Sequence, residues 1–260
     1  MRLTEIAAFI GAAAWLPQIA SWIYKKYSKP IIKLILNPKL ELGYTALGPI
    51  ISFTCSISSS KKDALIEKIT LKVSHEKGDT RTLTWKFLNE IQQQIRSYTG
   101  ETAEVSKNQP AVALKVPTIT LVEKIIVFQD LDFEEKSKIK GDKVVETYNF
   151  LKTQNTDAEA REKLIHTKEY EDLLDFFENY MYWQEGCYFI EVIVKEVTLR
   201  NSFIEKFRFS LSKIDIDSLN HNKTVLEKVF PVLINLPSEK DKKIEFPSWN
   251  WVNPTVEKTP

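Results

Sequence analysis

The 260-residue sequence predicts a mainly β protein, an antiparallel β-sandwich that carries a helical insertion and follows one N-terminal transmembrane helix. Three observations support this fold class. Several short segments alternate between apolar and polar residues with the period of a half-buried strand. Between about residues 141 and 184, apolar residues recur instead with the period of a helix. Residues 6–24 contain no charged side chain, which is typical of a segment that spans a membrane.

The uncharged N-terminal stretch is predicted to anchor the protein in a bilayer. Its 19 residues would form a helix about 28 Å long, close to the thickness of the hydrocarbon core. Because lysines favour the cytoplasmic side, we expect an anchor over residues 1–28 and a cytoplasmic domain over residues 29–260. The expected location is the cell inner membrane, crossed once. The lysines that follow the stretch have no acid among them: Lys25, Lys26, Lys29 and Lys33.

Other interpretations of this stretch remain open. A helix lying in the plane of the membrane interface is the closest alternative, because Pro17, Gln18 and several alanines lower the hydrophobicity. A core helix would need protein around nearly all of its surface. A cleaved signal peptide would end in small residues, whereas this stretch ends in Trp22 and Tyr24 and then in lysines.

Two sets of residues are predicted to act in the membrane. Aromatic and basic side chains near the end of the stretch are typical of a membrane interface: Trp22, Tyr24, Lys25, Lys26, Tyr27 and Lys29. Small or polar residues recur on one helix face, at alternating steps of three and four: Thr4, Ala7, Gly11, Ala14, Gln18 and Ser21. Such residues allow helices to pack closely and to form hydrogen bonds in lipid, so we expect self-association. The competing interpretation is an alanine-rich segment whose small residues have no such role.

The rest of the chain divides into apolar segments bounded by turn residues. Strands are expected at residues 30–36, 50–57, 66–76, 80–88, 187–199 and 203–211, with two more inside residues 112–128. Turns at residues 77–79 and 200–201 predict two hairpins. On the second strand, one buried face is expected to hold Ile51, Phe53, Cys55 and Ile57. Antiparallel strands at this spacing favour a sandwich with an immunoglobulin-like or C2-like layout over a parallel βαβ array.

The helical insertion is expected at about residues 141–184. Residues 157–160 are typical of a helix start. The aromatic and aliphatic face that follows is expected to pack on the sheet rather than to form a ligand groove: Tyr170, Leu173, Leu174, Phe177, Tyr180 and Met181. A further helix is expected at residues 215–230, and an extended tail at residues 246–254 is expected to cross the body.

Charge and motif content exclude several function classes. The net charge of +1 and the scattered lysines of the body disfavour nucleic acid as a partner. The seven glycines form no phosphate-binding loop, and no hydrolase, metalloprotease or dithiol motif occurs. We therefore expect no catalytic residues and no cofactor. Cys55 and Cys187 are expected to be reduced, buried and inert.

Acidic pairs are the best remaining chemical signal. Carboxylates two residues apart at a strand end can converge on a divalent cation, which makes a metal-binding set of Asp130, Asp132, Asp215 and Asp217. The alternative is that these acids mark turns and keep edge strands soluble.

The leading functional hypothesis is a membrane-anchored, non-enzymatic interaction or scaffold protein. Its partners would be the lipid bilayer, further copies of itself, and a protein or small ligand bound by the cytoplasmic domain. One alternative is an oligomerising, pore-forming effector, and another is a hydrolase with an unrecognised site. A weak anchor followed by a cytoplasmic β domain resembles the plan of some membrane-acting effectors of prokaryotic defence systems. That resemblance covers architecture only.

Overall fold

The computed structural model describes residues 15–24, 26–96, 102–199, 201–233 and 248–259, with the backbone alone for residues 90–96, 102–108 and 229–233. The first described element is helix α1, at residues 15–24 and 26–27. Ten strands follow: β1 (Ile31–Thr45), β2 (Gly48–Ser60), β3 (Ala64–His75), β4 (Thr80–Arg96), β5 (Thr102–Pro110), β6 (Leu114–Val116), β7 (Val122–Gln129), β8 (Gly186–Glu196), β9 (Phe203–Leu211) and β10 (Glu257–Lys258). The other helices are α2 (Leu131–Lys152), α3 (Asp157–Leu164), α4 (Lys168–Tyr180) and α5 (Lys213–Leu233).

All ten strands belong to one antiparallel sheet, ordered β1-β2-β7-β4-β3-β8-β9-β10, with β5 on β4 and β6 on β3. The segment before β10 forms isolated bridges to β1, Leu42 with Val252 and Lys39 with Thr255. The sheet therefore curls until β1, at one edge, is bridged by the segment that leads into β10, at the other edge, and it nearly closes into a barrel. The predicted antiparallel, β-rich architecture with helices is confirmed. The predicted division into two packed sheets is replaced by one continuous sheet.

A bulge in β1 makes the closure possible. The pairing of β1 with β2 is interrupted between Leu36 and Leu40, around Pro38, which has no N–H to donate and therefore occurs at bulges and edges. The carbonyl of Pro38 accepts a hydrogen bond from the Val256 N–H at 2.7 Å, and the Leu40 N–H donates to the Pro254 carbonyl at 3.1 Å. The tail is thus held against β1 at the irregularity.

Several local predictions are confirmed. The predicted face of β2 is buried, with Ile51, Phe53, Cys55 and Ile57 at most 2% exposed. Both hairpins form, β3 with β4 and β8 with β9. Helix α5 matches the predicted helix at residues 215–230, and described residues 248–254 of the tail are extended as expected. Residues 246 and 247 of that tail lie outside the described residues.

The helical insertion begins ten residues earlier than the predicted boundary of about residue 141, because Asp130 starts a helix. The Asp130 carboxylate accepts hydrogen bonds from the N–H groups of Asp132, at 3.0 Å, and Phe133, at 3.3 Å. These are two of the otherwise unpaired donors at a helix N-terminus. The predicted helix start at residue 157 is confirmed, since Thr156 and Glu159 form a capping box there.

The two ends of the barrel differ in what covers them. Helices α2 and α5 directly follow the strands β7 and β9 that end at one side, which we call the capped end. There a second apolar core of Tyr44, Phe133, Tyr148, Leu173, Phe177 and Leu226 joins the helices to the top of β1. We call the opposite side the basal end, and it carries the start of β1 and the turns at residues 61–63, 117–121 and 197–199.

Within the described ranges, no helix is both long and apolar enough to cross a bilayer. Residues 6–14 of the predicted anchor lie outside those ranges. The division at residue 28 into anchor and domain stays a prediction.

Candidate functional site

Helix α1 presents its side chains to the surroundings rather than to the barrel. Every described residue of α1 is exposed. Seven large apolar side chains are between 45% and 73% exposed: Trp15, Leu16, Ile19, Trp22, Ile23, Tyr24 and Tyr27. Isolated exposed apolar residues are ordinary, but a contiguous set on one element marks a contact surface.

Of the residues predicted to act at a membrane interface, the described ones lie together at the end of α1. The Lys26 ammonium lies 4.8 Å from the centre of the Trp22 ring, within the range of a cation–π contact. Tyr27 is the most exposed aromatic residue of the helix, and Lys29 follows it in the link to β1. Lys25 lies outside the described residues.

The predicted helix–helix face is described only in part. Gln18 and Ser21 are exposed residues of α1 three positions apart, so that they share one face of the helix. Thr4, Ala7, Gly11 and Ala14 lie outside the described residues. The self-association of this face stays a prediction.

The turns of the basal end add a second group of exposed apolar side chains. Ile119 is 97% exposed, and Leu121 and Val197 are 52% and 56% exposed. Strand pairing places their turns at the same end of the barrel. At the start of β3, Ala64 pairs with Val116, which precedes the turn at residues 117–121. Ile66 pairs with Glu196, which precedes Val197. These residues were not predicted from the sequence. In the sequence, each of them is only an apolar residue inside a turn. The pairing of strands that are distant in the chain brings these turns to the same end of the barrel.

Hydrogen bonds fix the shape of the turn that holds Ile119. The Asp63 carboxylate accepts from the Thr118 N–H at 3.0 Å and from the Thr118 hydroxyl at 3.3 Å. These hydrogen bonds, with the nearby Lys115 ammonium, hold the pKa of Asp63 below its usual value. The carboxylate that ties residues 61–63 to residues 117–121 is therefore charged at neutral pH.

The turn that holds Val197 is fixed by a buried carboxylate. Glu196 is 2% exposed and accepts from the N–H groups of Leu65, Thr198 and Leu199 at 3.1, 2.7 and 3.0 Å. Burial raises the pKa of Glu196, but the hydrogen bonds to Thr198, Leu65 and Leu199 outweigh burial and lower it overall. The buried charge is thus compensated by donors of the turn after β8 and of β3.

The two ends of the barrel also differ in their charged residues. The described basal residues include Lys29, Lys61 and Lys62, all exposed, and the nearby acid Asp63 is engaged with Thr118 and Lys115. From Leu131 to Tyr180, at the capped end, 13 acidic residues outnumber 8 basic ones, a net charge of −5. The near-neutral total therefore conceals exposed lysines among the described basal residues and an excess of acids in residues 131–180.

The acidic residues proposed as metal ligands lie at the N-terminal ends of two different helices. Asp130 caps α2, and Asp132 pairs with Lys136 at 2.7 Å. The Tyr180 hydroxyl donates to Asp130 at 3.1 Å and to Asp132 at 3.0 Å, while Asp215 accepts from the N–H and hydroxyl of Ser212.

Protein donors thus satisfy Asp130, Asp132 and Asp215, and Asp217 lies in the same helix as Asp215. Asp130 directly follows the last residue of β7, as expected, and it also caps a helix, because acids two residues apart occur equally in a first helical turn. Among the described residues, no group of three or more His, Cys, Asp or Glu residues is placed to hold a metal ion. Metal binding by this set stays a prediction.

Described polar residues line two open cavities. One of about 340 Å³ lies between α2 and α4, lined by Lys140, Asp172, Asp175, Phe176, Asn179 and Tyr180. The other, of about 420 Å³, is lined by Cys187, Arg208, Phe209, Ser210, Thr255 and Glu257. The Arg208 guanidinium is already engaged by Glu257 at 2.7 Å.

The two cysteines differ in their surroundings. Cys55 is buried as expected, and burial raises the pKa of its thiol to about 12, which keeps it protonated and unreactive. Cys187 was expected to be buried but is only partly so, because it lines the second cavity.

No protein-family model, curated protein or solved structure matches this chain. The resemblance in plan to membrane-acting defence effectors stays a prediction.

Proposed function

We propose that this protein is a membrane-anchored interaction protein, in which the α1 region enters the bilayer and holds the barrel at the cytoplasmic surface. The observation that carries the proposal is the exposure of every described residue of α1, aromatic and aliphatic side chains included. Apolar side chains of this size gain about 1.5–3 kcal/mol each when they leave water. A helix that buries none of them on its own barrel needs another apolar phase.

The composition of α1 favours lipid as that phase. Trp22, Tyr24 and Tyr27 have apolar bodies and polar tips, which suit the boundary between headgroups and acyl chains. Lys26 and Lys29 lie beside them and would face the phosphates. Both the spanning and the in-plane arrangements of the helix use these contacts.

Flotation of the full chain with lipid vesicles tests the proposal. The wild-type protein is expected to float with vesicles of phosphatidylcholine and phosphatidylglycerol. Ile19→Glu places a charge in the middle of the described helix, at a cost in the bilayer of about 2.5–3.5 kcal/mol for charged residues. We therefore expect the vesicle-bound fraction to fall at least about tenfold.

The matched control is Ile139→Glu, which makes the same change on α2 at the capped end. Ile139 is 51% exposed, close to the 50% of Ile19, so folding should tolerate both substitutions equally. The proposal is contradicted if the wild-type protein stays unbound, or if both variants float like the wild type.

A second candidate function is permeabilisation of the bilayer by several copies. The observation that favours it is the pair Gln18 and Ser21, polar residues on one face of an otherwise apolar exposed helix. An amide facing lipid is costly, and association with other helices removes that cost. Release of a trapped dye from vesicles, reduced by Gln18→Leu while flotation persists, would support this function over simple anchoring.

A further inference from the structure

We propose that the turns of the basal end form a second lipid-contact surface, which sets the barrel upright on an anionic bilayer. The surface consists of Ile119, Leu121 and Val197 with the lysines Lys61 and Lys62. This inference rests on the proposed function of α1, because it concerns how the anchored barrel meets the same membrane.

Geometry places this surface on the membrane side. Helix α1 leads through residues 28–30 into the start of β1, and Ile31 is paired with Ser60, next to Lys61. The turn at residues 117–121 is tied to Asp63 by two hydrogen bonds. The turn at residues 197–199 is tied to Leu65 through Glu196. The exposed tips of these turns therefore lie at the end from which α1 leaves the barrel.

The chemistry of the tips fits a bilayer interface better than water. Ile119 is almost fully exposed although the Asp63 hydrogen bonds hold its turn in place, so its position costs little further ordering on binding. Val197 is held in the same manner, since its own N–H donates to the Leu65 carbonyl at 3.0 Å. Ordered apolar tips beside lysines are suited to shallow insertion between lipid headgroups.

Charge complementarity identifies the lipid as anionic. Each lysine close to an anionic leaflet favours binding by about fivefold, and Lys61 and Lys62 are neighbours in one turn. The acidic helices lie at the opposite end, where repulsion from the same membrane would turn them away. The barrel is thus oriented by attraction at one end and repulsion at the other.

A fluorescent label at each end measures the orientation directly. In a full-length Cys187→Ser background, with Cys55 buried, Ile119→Cys and Ile139→Cys each provide one reactive thiol for an environment-sensitive dye. On phosphatidylcholine–phosphatidylglycerol vesicles, we expect a blue shift and quenching by lipid-borne quenchers for the label at position 119. The label at position 139 should keep its emission in water.

The outcomes separate this inference from the proposed function. If the protein floats with vesicles while the label at position 119 stays in water, the basal contact is wrong and the α1 anchor stands. If the protein does not float, both fail. A label at position 139 that shifts as strongly as that at position 119 also overturns the orientation.

Charge reversal gives a second test that does not use labels. The double variant Lys61→Glu/Lys62→Glu should lower partitioning onto the anionic vesicles at least about tenfold, with little effect on purely phosphatidylcholine vesicles. The matched control is Lys138→Glu/Lys143→Glu on α2, where both lysines are exposed. Equal losses for the two double variants would overturn the assignment of the basal surface.

Discussion

The two ends of the barrel differ in what packs against the ends of the strands. At the capped end, the helices cover the top of β1, and the ring of Phe133 lies among those of Tyr44, Phe176, Phe177 and Tyr180. At the basal end, Ile119, Leu121 and Val197 stay exposed although hydrogen bonds fix their turns. The same sheet therefore completes its core at one end and leaves apolar tips at the other.

Exposed apolar residues occur at both ends, with Phe150 and Ile214 on the helices of the capped end, but their surroundings differ. The capped end buries Phe133, Tyr148 and Phe177, and residues 131–180 of its helices have a net charge of −5, which suits contact with water. The basal end combines ordered apolar tips with lysines and the exposed helix α1. Stability should therefore be sensitive to changes at the capped end, and membrane binding to changes at the basal end.

The largest expected effect is a difference in the free energy of unfolding when one apolar side chain is shortened at each end. Phe133 is 0% exposed, and Phe133→Ala should lower the free energy of unfolding by about 3–5 kcal/mol because it leaves a cavity. Ile119→Ala should change it by no more than about 0.5 kcal/mol. Urea denaturation measures both variants, and comparable losses would contradict the contrast between the ends.

Adding a methyl group at Gly48, in the capped end, should have the next largest effect on the free energy of unfolding. Gly48 has φ +80°, and a Cβ there would meet the Phe133 ring. We expect Gly48→Ala to cost about 2–4 kcal/mol, from left-handed backbone strain together with overpacking. The control is Gly78→Ala in the β3–β4 turn, where φ is +103° and nothing lies within 4 Å of a Cβ.

Gly78→Ala should cost only the backbone strain of about 1–2 kcal/mol. Thermal or urea unfolding of the two variants isolates the contact with Phe133. A cost at Gly78 equal to that at Gly48 would show that packing at the capped end contributes nothing.

Glu196, at the basal end, should contribute to stability, and its effect should vary with pH. Glu196→Gln weakens the hydrogen bonds to three N–H groups and should cost about 1–3 kcal/mol at neutral pH. Because the folded pKa of Glu196 lies below its usual value, the unfolded chain binds more protons just below about pH 4.3. The stabilisation is therefore present above that pH and is lost as the pH falls through the folded pKa.

Urea unfolding at several pH values should show the wild type and Glu196→Gln converging as the solution becomes acidic. Glu67→Gln is the control, since its exposed pairing with Lys195 at 3.1 Å is worth at most about 1 kcal/mol. A pH-independent difference for Glu196→Gln would show that its charge contributes nothing to the turn.

Local signals predicted most strands and helix starts correctly. Alternation identified the buried face of β2, and the residues between β3 and β4 identified a hairpin. The start of α3 was predicted correctly because residues 156–159 carry their own capping groups. Each of these features is decided by residues that are neighbours in the chain.

Features that depend on distant residues were missed or misplaced. The sequence of β5 is mostly polar and does not alternate, and it becomes a strand by pairing with β4. The helix start at Asp130 was missed, because acids have the same spacing after a strand as in a first helical turn. The meeting of Ile119 with Val197 at one end follows from the pairings of β3 with β6 and β8.

The sequence by itself determined the uncharged stretch with its lysines, the positions of most strands and the acidic character of the helical insertion. Only the tertiary structure decided that the strands form one curled sheet rather than two packed ones. The alternation of apolar and polar residues determines which side of a strand is buried. The same alternation is compatible with any neighbouring strand, so it does not determine the strand order. The barrel depends on the tail, where Val252 reaches Leu42, and that pairing joins residues from opposite ends of the domain.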